Sequence, residues 1–332
     1  MKKLFTILAV AATLVSCAKE DVVREAEGEA IQFGNAFVEN STRADAATDP
    51  SYSTTGKGVA LTQFNVYGAV NGVNIFNGNT VTKGEAAYGA AWTLDGAKQY
   101  WINGADYEFV AVVDGNKTVK VNETDVVVTS TATNASGIPT SITYNSDGAT
   151  DLLCARVERP DNSNTSVVAF DFTHLLSKVK FSVKNTTDDD ATNYRIVLTE
   201  AKITGALASN TYNVATSNWA TVNTTNNTKD FTLENLEVNS AATQYHSKEL
   251  LLLPGVNVGV IVKANVQAKD SRDVWTTVST MEKPFSNVLG ENNTLVAGQA
   301  YHFAVELGIG TEIKFTANEM PEWTPTTNVP LQ

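Results

Sequence analysis

The stretch KVKFSVK, Lys178–Lys184, alternates strictly between polar and apolar side chains. Val179, Phe181 and Val183 fall on one side, and three lysines and a serine fall on the other. An alternation of period two is typical of a strand in an antiparallel sheet with one buried and one wet face. The same pattern recurs in VGVIVKANV, YHFAVEL and EIKFTA, at residues 258–266, 301–307 and 312–317.

Polar clusters such as VNGVN, VDGNKT and NTTNNTK separate these runs and are typical of turns. Helical patterns extend over a turn or two at most, so the sequence predicts an all-β protein made of antiparallel β-sandwiches. The stretch RPDNSNTS, Arg159–Ser166, is polar and lacks an apolar pattern. It predicts a boundary between an N-terminal β-sandwich, residues 58–160, and a C-terminal β-sandwich, residues 161–332.

The charge of the chain argues against several kinds of partner. Its 332 residues carry a net charge of −12, and no long run of lysine or arginine is present. Binding to nucleic acid requires clustered basic side chains that neutralise phosphates. We therefore expect no nucleic-acid partner and no electrostatic attraction to an anionic membrane surface.

The sequence offers little catalytic chemistry. Its three histidines, His174, His246 and His302, are far apart, and the HExxH, GxSxG, Walker and CxxC motifs are missing. We expect His302 to be a solvated strand residue and His174 to be packed. The run Asp188–Asp190 lacks the spacing of a calcium loop and predicts a solvated turn. We therefore expect no enzyme, no catalytic residue, no metal and no cofactor.

The N-terminus predicts export and lipidation. Residues 1–17, MKKLFTILAVAATLVSC, combine two lysines with an apolar run, Leu4–Val15, that is too short to span a bilayer. LVSC resembles a bacterial lipoprotein signal in which Cys17 is acylated, although a plain signal with a chance cysteine is the alternative. AKED, directly after Cys17, resembles the surface-export signal of Bacteroidetes lipoproteins. Cys154 then has no partner and should be a buried free thiol.

Residues 18–57 are predicted to be a tether, because they are rich in small and polar side chains, but they contain one apolar patch. In AIQFGNAFV, residues 30–38, Ile31, Phe33 and Phe37 occupy odd positions, which predicts a half-buried strand. Further along the tether, Arg43 is the only basic residue between Arg24 and Lys57. Taken alone, Arg43 is either a solvated linker charge or a protease site.

Five stretches together resemble the fimbrillin family of Bacteroidetes, the subunits of type V pili. The most specific is Phe-x-His-x-Leu-Ser-Lys-Val at Phe172–Val179. The five stretches are YWINGADYEFVAVV (Tyr100–Val113), DLLCARV (Asp151–Val157), VVAFDFTHLLSKVKFSV (Val167–Val183), LLLLPG (Leu250–Gly255) and LVAGQAYHFAVELGIGTEIKFTANEMPEWTP (Leu295–Pro325).

The resemblance implies two tandem β-sandwiches of transthyretin-like topology and a route of assembly. A lipoprotein precursor reaches the outer membrane, and an arginine-specific protease then cuts the tether, here between Arg43 and Ala44. The cut releases the lipid and removes the first strand, which carries Ile31, Phe33 and Phe37. A strand from a neighbouring subunit then fills the vacated groove.

The C-terminal tail, Glu312–Gln332, is the candidate donor of that strand. Its prolines keep it extended but limit pairing in the middle of a sheet, so we expect partial insertion, with Val329 and Leu331 as possible plugs. These points predict a structural subunit of an extracellular fimbrium that polymerises with copies of itself or with other subunits and supports cell adhesion.

The alternative is an uncleaved surface lipoprotein that anchors a pilus or binds glycans. In that case the tryptophans would form the binding platform, although such rings more often serve core or edge packing. The sequence does not identify a host or bacterial surface ligand.

Overall fold

The computed structural model describes residues 28–38, 61–84, 92–162, 166–186, 193–233, 245–310 and 312–320. Within these ranges the regular structure consists of strands, and no helix is present. The predicted all-β class is therefore confirmed. The transthyretin-like topology of two tandem sandwiches stays a prediction, as do the lipoprotein signal at 1–17 and the tether boundaries at 18–57.

A seven-stranded sheet lies in the first half of the chain. Its order is β1-β11-β10-β5-β2-β3-β4, and only the β1–β11 pair is parallel. A two-residue turn, Asn71-Gly72, joins β2 to β3, and both residues have positive φ as a tight hairpin requires. The strands are β1 (Phe33–Val38), β2 (Gln63–Val70), β3 (Val73–Lys83), β4 (Trp92–Leu94), β5 (Ala105–Val113), β10 (Leu153–Asn162) and β11 (Val168–His174).

Two four-stranded sheets form most of the second half. The first has the order β17-β12-β20-β21 and the second β16-β13-β18-β19. Their strands are β12 (Ser177–Asn185), β13 (Tyr194–Leu207), β16 (Thr228–Thr232), β17 (Tyr245–Leu252), β18 (Gly259–Lys269), β19 (Trp275–Phe285), β20 (Ala300–Leu307) and β21 (Lys314–Met320).

The apolar faces of these two sheets share one core. Phe181 of β12, Phe303 of β20 and Val262 of β18 are fully buried in the same cluster. Phe285 of β19 and Phe315 of β21 bring the two sheets together, with ring centroids 5.0 Å apart. The alternation in the sequence therefore identified the buried face of β12, β18 and β20 correctly.

A third four-stranded sheet, β15-β14-β9-β8, joins distant parts of the chain. Its β9 precedes the predicted boundary at Arg159–Ser166, while β14, which pairs with β9, follows it. The strands are β6 (Thr118–Val121), β7 (Thr124–Val127), β8 (Thr129–Thr133), β9 (Pro139–Asn145), β14 (Ser209–Asn213) and β15 (Asn218–Trp219), of which β6 and β7 form a separate hairpin.

The predicted boundary between residues 160 and 161 does not separate sheets. It falls inside β10, and β10 pairs with β11 through Leu153 and His174 in the seven-stranded sheet. The chain passes into the next sheet later, at Leu175 and Leu176, before β12 begins. A polar segment between two strands of one sheet has the same composition as a linker between domains, so the sequence pattern could not tell them apart.

Cys154 is a free, buried thiol in β10, as the sequence predicts. Burial raises the pKa of the Cys154 thiol from 9.0 to about 12. Because only the thiolate reacts, its thiolate fraction at pH 8 should be about a thousand-fold below that of an unperturbed thiol. We expect negligible labelling by a disulfide reagent in the folded protein and full labelling in denaturant. Rapid labelling of folded protein, with Cys17 absent or acylated, would contradict this.

Candidate functional site

The first strand occupies the edge of the seven-stranded sheet. β1 runs parallel to β11, with Phe33 beside Val168 and Gly34 beside Ala169. The amide of Val168 donates a hydrogen bond of 2.8 Å to the carbonyl of Gln32. The strand predicted inside the tether is thus confirmed as part of a sheet.

A second segment, Gln99–Trp101, borders the same stretch on its other side. The amide of Ile31 donates to the carbonyl of Gln99 at 2.8 Å, and the amide of Trp101 donates to the carbonyl of Glu29 at 3.0 Å. Ala30 and Tyr100 form an antiparallel bridge between these two bonds. Gln99–Trp101 therefore borders residues 29–31, and β11 borders the residues from Gln32 to Val38. We call these two segments the walls, and the space that residues 29–38 fill the first-strand groove.

Aromatic rings form the floor of the first-strand groove. The Phe33 ring centroid lies 5.3 Å from that of Phe76 and 6.0 Å from those of Phe109 and Phe170. Phe33 is 6% exposed and Ile31 is 5% exposed. Burial of one such side chain is worth about 1.5–3 kcal/mol, so these two contribute about 3–6 kcal/mol.

The backbone register departs from the predicted alternation near Phe37. Between Gly34 and Phe37 the pairing with β11 shifts, which places Phe37 beside Asp171 and Val38 beside Phe172. The grouping of Phe37 with Ile31 and Phe33 on one face therefore stays a prediction across this irregularity. An extra residue in one strand changes which positions share a face. The side chain of Phe37 lies outside the description.

Gly34 marks a close approach between β1 and its surroundings. A Cβ atom at this position would lie 2.9 Å from Cγ1 of Val167 and 3.8 Å from Cδ1 of Trp92. Val167 precedes β11, the neighbour of β1 at one end of the sheet order, and Trp92 begins β4 at the other end. The seven-stranded sheet thus curls until its two ends meet at β1.

Sequence reasoning found the strand but missed what it binds. Phe76, Phe109 and Phe170 form the floor, and Gln99–Trp101 forms the second wall. Trp101 stands in the family-like stretch Tyr100–Val113 and among the tryptophans of the alternative glycan platform, and neither prediction places it beside the first strand. An alternating pattern reveals a buried face but not which distant strand covers it, so the sequence carried no signal for these partners.

The other predicted assembly residues are only partly covered. Cys17, Arg43 and Ala44 lie outside the described residues, as do Val329 and Leu331. The first part of the candidate donor, β21, pairs antiparallel with β20 in the chain's own sheet. As described here, Lys314–Met320 is therefore an edge strand of its own subunit.

The described histidines have structural partners. His174 Nδ1 lies 2.8 Å from Asp151 Oδ2, and its side chain is nearly buried. His302 Nε2 lies 2.6 Å from Ser182 Oγ. Burial, and then the charge of Lys180, lower the pKa of His302. The His302 side chain is half-buried rather than fully solvated, so its prediction as a solvated residue is wrong. The side chain of His246 and the run Asp188–Asp190 lie outside the description.

The described tryptophans do not share one face. Trp101 is buried in the seven-stranded sheet, and Trp92 packs on Phe64 with centroids 5.2 Å apart. Trp219 Nε1 donates to the carbonyl of Leu175 at 2.9 Å. Trp275 lies on β19, and the guanidinium carbon of Arg195 lies 4.6 Å from the centroid of its ring. A single aromatic platform is therefore not formed by these four rings.

The described ranges contain no cluster of three or more His, Cys, Asp or Glu side chains that could hold a metal ion. They also contain no helix with the length and apolar character needed to cross a membrane.

Comparison with known proteins places this architecture in a family. The sequence model of the fimbrillin-like family matches residues 42–323. The chain belongs to the fimbrillin-like family. The matched span begins after β1 ends at Val38, so the strand in the groove precedes the part that this fimbrillin-like chain shares with the family model.

Solved structures share the fold of this fimbrillin-like chain. A fimbrial protein from Bacteroides vulgatus is 14% identical with a TM-score of 0.52, covering 89% of this chain and 99% of its own. A candidate cell adhesion protein from Bacteroides uniformis is 22% identical with a TM-score of 0.51, covering 82% of this chain and 95% of its own. Among curated proteins, the sequence comparison finds no match.

Proposed function

We propose that this fimbrillin-like chain is a structural subunit of a surface fimbrium that supports adhesion. In this proposal the chain is exported as a lipoprotein acylated on Cys17 and held at the outer membrane. An arginine-specific protease cuts after Arg43, and the chain that begins at Ala44 polymerises into an extracellular fibre by donor-strand exchange. Its role is structural rather than catalytic.

The observation that carries the proposal is the first-strand groove. Ile31 and Phe33 are buried in it, yet the strand that bears them precedes a tether that contains Arg43. A cut at that arginine would leave residues 29–38 held only by noncovalent contacts. Release of this strand would expose the rings of Phe76, Phe109 and Phe170 together with the unpaired backbone of β11.

An open groove of this kind favours a replacement strand. Loss of Ile31 and Phe33 alone forfeits about 3–6 kcal/mol of apolar burial. Sheet edges with unpaired N–H and C=O groups recruit other strands. In such strand addition, backbone hydrogen bonds give affinity and alternate side chains give register. A neighbouring subunit is the partner that could supply the strand repeatedly and so extend a filament.

The C-terminal segment has side chains that could fill the first-strand groove. Ile313-Lys314-Phe315 repeats the apolar-polar-apolar order of Ile31-Gln32-Phe33. Ile313 is buried and Phe315 half-buried in the chain's own sheet. β21 is an edge strand that pairs on one side only, so it could leave that sheet without breaking it in two. Val329 and Leu331, beyond β21, remain the proposed plugs of the tail.

N-terminal sequencing of protein sheared from intact cells tests the proposal. Fibre material should begin at Ala44, and it should remain polymeric under conditions that dissociate ordinary surface contacts. Full-length, lipidated monomer as the sole surface form would refute it and would favour an uncleaved anchor or adhesin instead.

A further inference from the structure

Arg159 lies at the mouth of the first-strand groove. It follows Ala155 and Val157 on the face of β10 that packs into the core of the seven-stranded sheet. Its guanidinium donates two hydrogen bonds, one of 2.9 Å to the carbonyl of Ser166 and one of 3.0 Å to the carbonyl of Val167. These carbonyls lie directly before β11, so Arg159 binds the end of the first wall.

The same guanidinium also covers the second wall. Its carbon atom lies 5.2 Å from the ring centroid of Trp101. The Trp101 ring in turn packs on Tyr107 and Phe109, at centroid distances of 4.8 and 6.0 Å. One side chain thus contacts both walls, at the end of the groove where Ile31 and Phe33 sit.

Backbone pairing does not supply this link. Over the described parts of β10 and β11, the ladder pairs only Leu153 with His174 and Cys154 with Thr173. Those pairs lie at the far end of both strands from the groove mouth. Near Ser166 and Val167 the guanidinium therefore takes the place of ladder hydrogen bonds between β10 and the start of β11.

We propose that Arg159 is a positioning residue that holds the two walls one strand-width apart after β1 has left. Its planar fork satisfies two carbonyls at fixed geometry while its face stacks on Trp101, which a lysine cannot reproduce. An acceptor groove kept open in this way receives an incoming strand without first having to reopen. The proposal rests on the proposed strand exchange, because only exchange empties the groove.

Peptide exchange on the full chain tests this. A site for a sequence-specific protease is inserted directly after Arg43, so that cutting leaves β1 seated but no longer attached. A fluorescent peptide of residues 28–40 then competes for the groove. Its dissociation rate is measured after adding excess unlabelled peptide, its affinity by competitive titration, and the two together give the association rate.

The informative variant is Arg159→Met, which keeps an apolar stem over Trp101 but removes both hydrogen bonds. We expect its association rate to fall about ten-fold or more, since each hydrogen bond to a charged group is worth about ten-fold. The dissociation rate should change less than about two-fold on the same scale. Arg159→Lys should resemble Arg159→Met, and it supplies the test if Arg159→Met lowers the melting temperature of the uncut chain.

Arg156→Met is the matched control. Arg156 lies on the same strand, but it pairs with Glu108 at 2.9 Å and Glu158 at 2.6 Å, away from the groove. Its association rate should equal that of the wild type. A faster dissociation of the Arg159 variants at unchanged association rate would overturn the proposal, because it would make Arg159 an ordinary packing contact. A wild-type groove that never accepts the peptide would overturn it too.

Failure of the proposal for Arg159 can be told apart from failure of the proposed function. The peptide carries the chain's own first strand, so its binding requires no fibre and no donor tail. If cut wild-type protein binds the peptide but its copies never assemble, the strand-exchange subunit is refuted while the effect of Arg159 can still be measured.

Discussion

Replacing Arg43 with alanine is expected to leave a full-length, lipid-bearing chain on the cell and to abolish its entry into fibres. The first-strand groove explains why the effect should be all or none. While residues 29–38 remain covalently attached, they occupy the groove at very high local concentration, and a strand from a neighbour cannot displace them. Immunoblots of sheared and cell-bound fractions measure the outcome.

Two further substitutions sharpen this test. Arg43→Lys keeps the positive charge and should fail as completely as Arg43→Ala if the protease is specific for arginine. Lys57→Ala, at the next basic residue along the tether, should assemble normally. Fibres of normal abundance from Arg43→Ala would show that the first strand leaves by another route or does not leave at all.

Phe33→Ala and Phe170→Ala should both destabilise the chain before cleavage, but only Phe170→Ala should have an effect after it. The two rings stack at 6.0 Å in the same core, and truncating a buried phenylalanine costs about 3–5 kcal/mol. Both variants should therefore lower the denaturant midpoint of the full-length chain. In assembled fibres only Phe170→Ala should weaken the polymer, because Phe33 is no longer part of it.

Stability of fibres against heat and detergent measures the second half of that prediction. Phe303→Ala, in the core of the other sheets, provides a control that should weaken the folded chain in either state. If Phe33→Ala weakened mature fibres as much as Phe170→Ala, the first strand would still be present in them, and donor-strand exchange at this groove would be excluded.

The sequence predicted local features well because they depend on local chemistry. Alternation identified the buried faces of β12, β18 and β20, and the spacing of Ile31 and Phe33 revealed a strand inside the tether. Cys154 was correctly expected to be a buried thiol, since an apolar strand surrounded it.

What the sequence missed depends on contacts between distant residues. Pairing of β1 with β11 spans more than a hundred positions, and the residues of Gln99–Trp101 have no pattern that points to Glu29 or Ile31. The alternation also gave no sign of the register shift between Gly34 and Phe37, because one extra residue in a strand leaves no pattern of its own. His302 looked solvated by its position on a strand, yet Ser182 of the parallel neighbour binds its ring.

The flanking hydrogen bonds of residues 29–38 have a mechanical consequence. This stretch is bonded to Val168 on one side and to Gln99 and Trp101 on the other, and the chain enters and leaves it at opposite ends. If a replacement strand filled the first-strand groove, a pull on the fibre would act along the axis of that strand. Because that load would act across the hydrogen bonds rather than along them, the bonds to both walls would have to break together and not one after another. The contacts in the first-strand groove that make β1 costly to release would also set the tensile strength of a fibre.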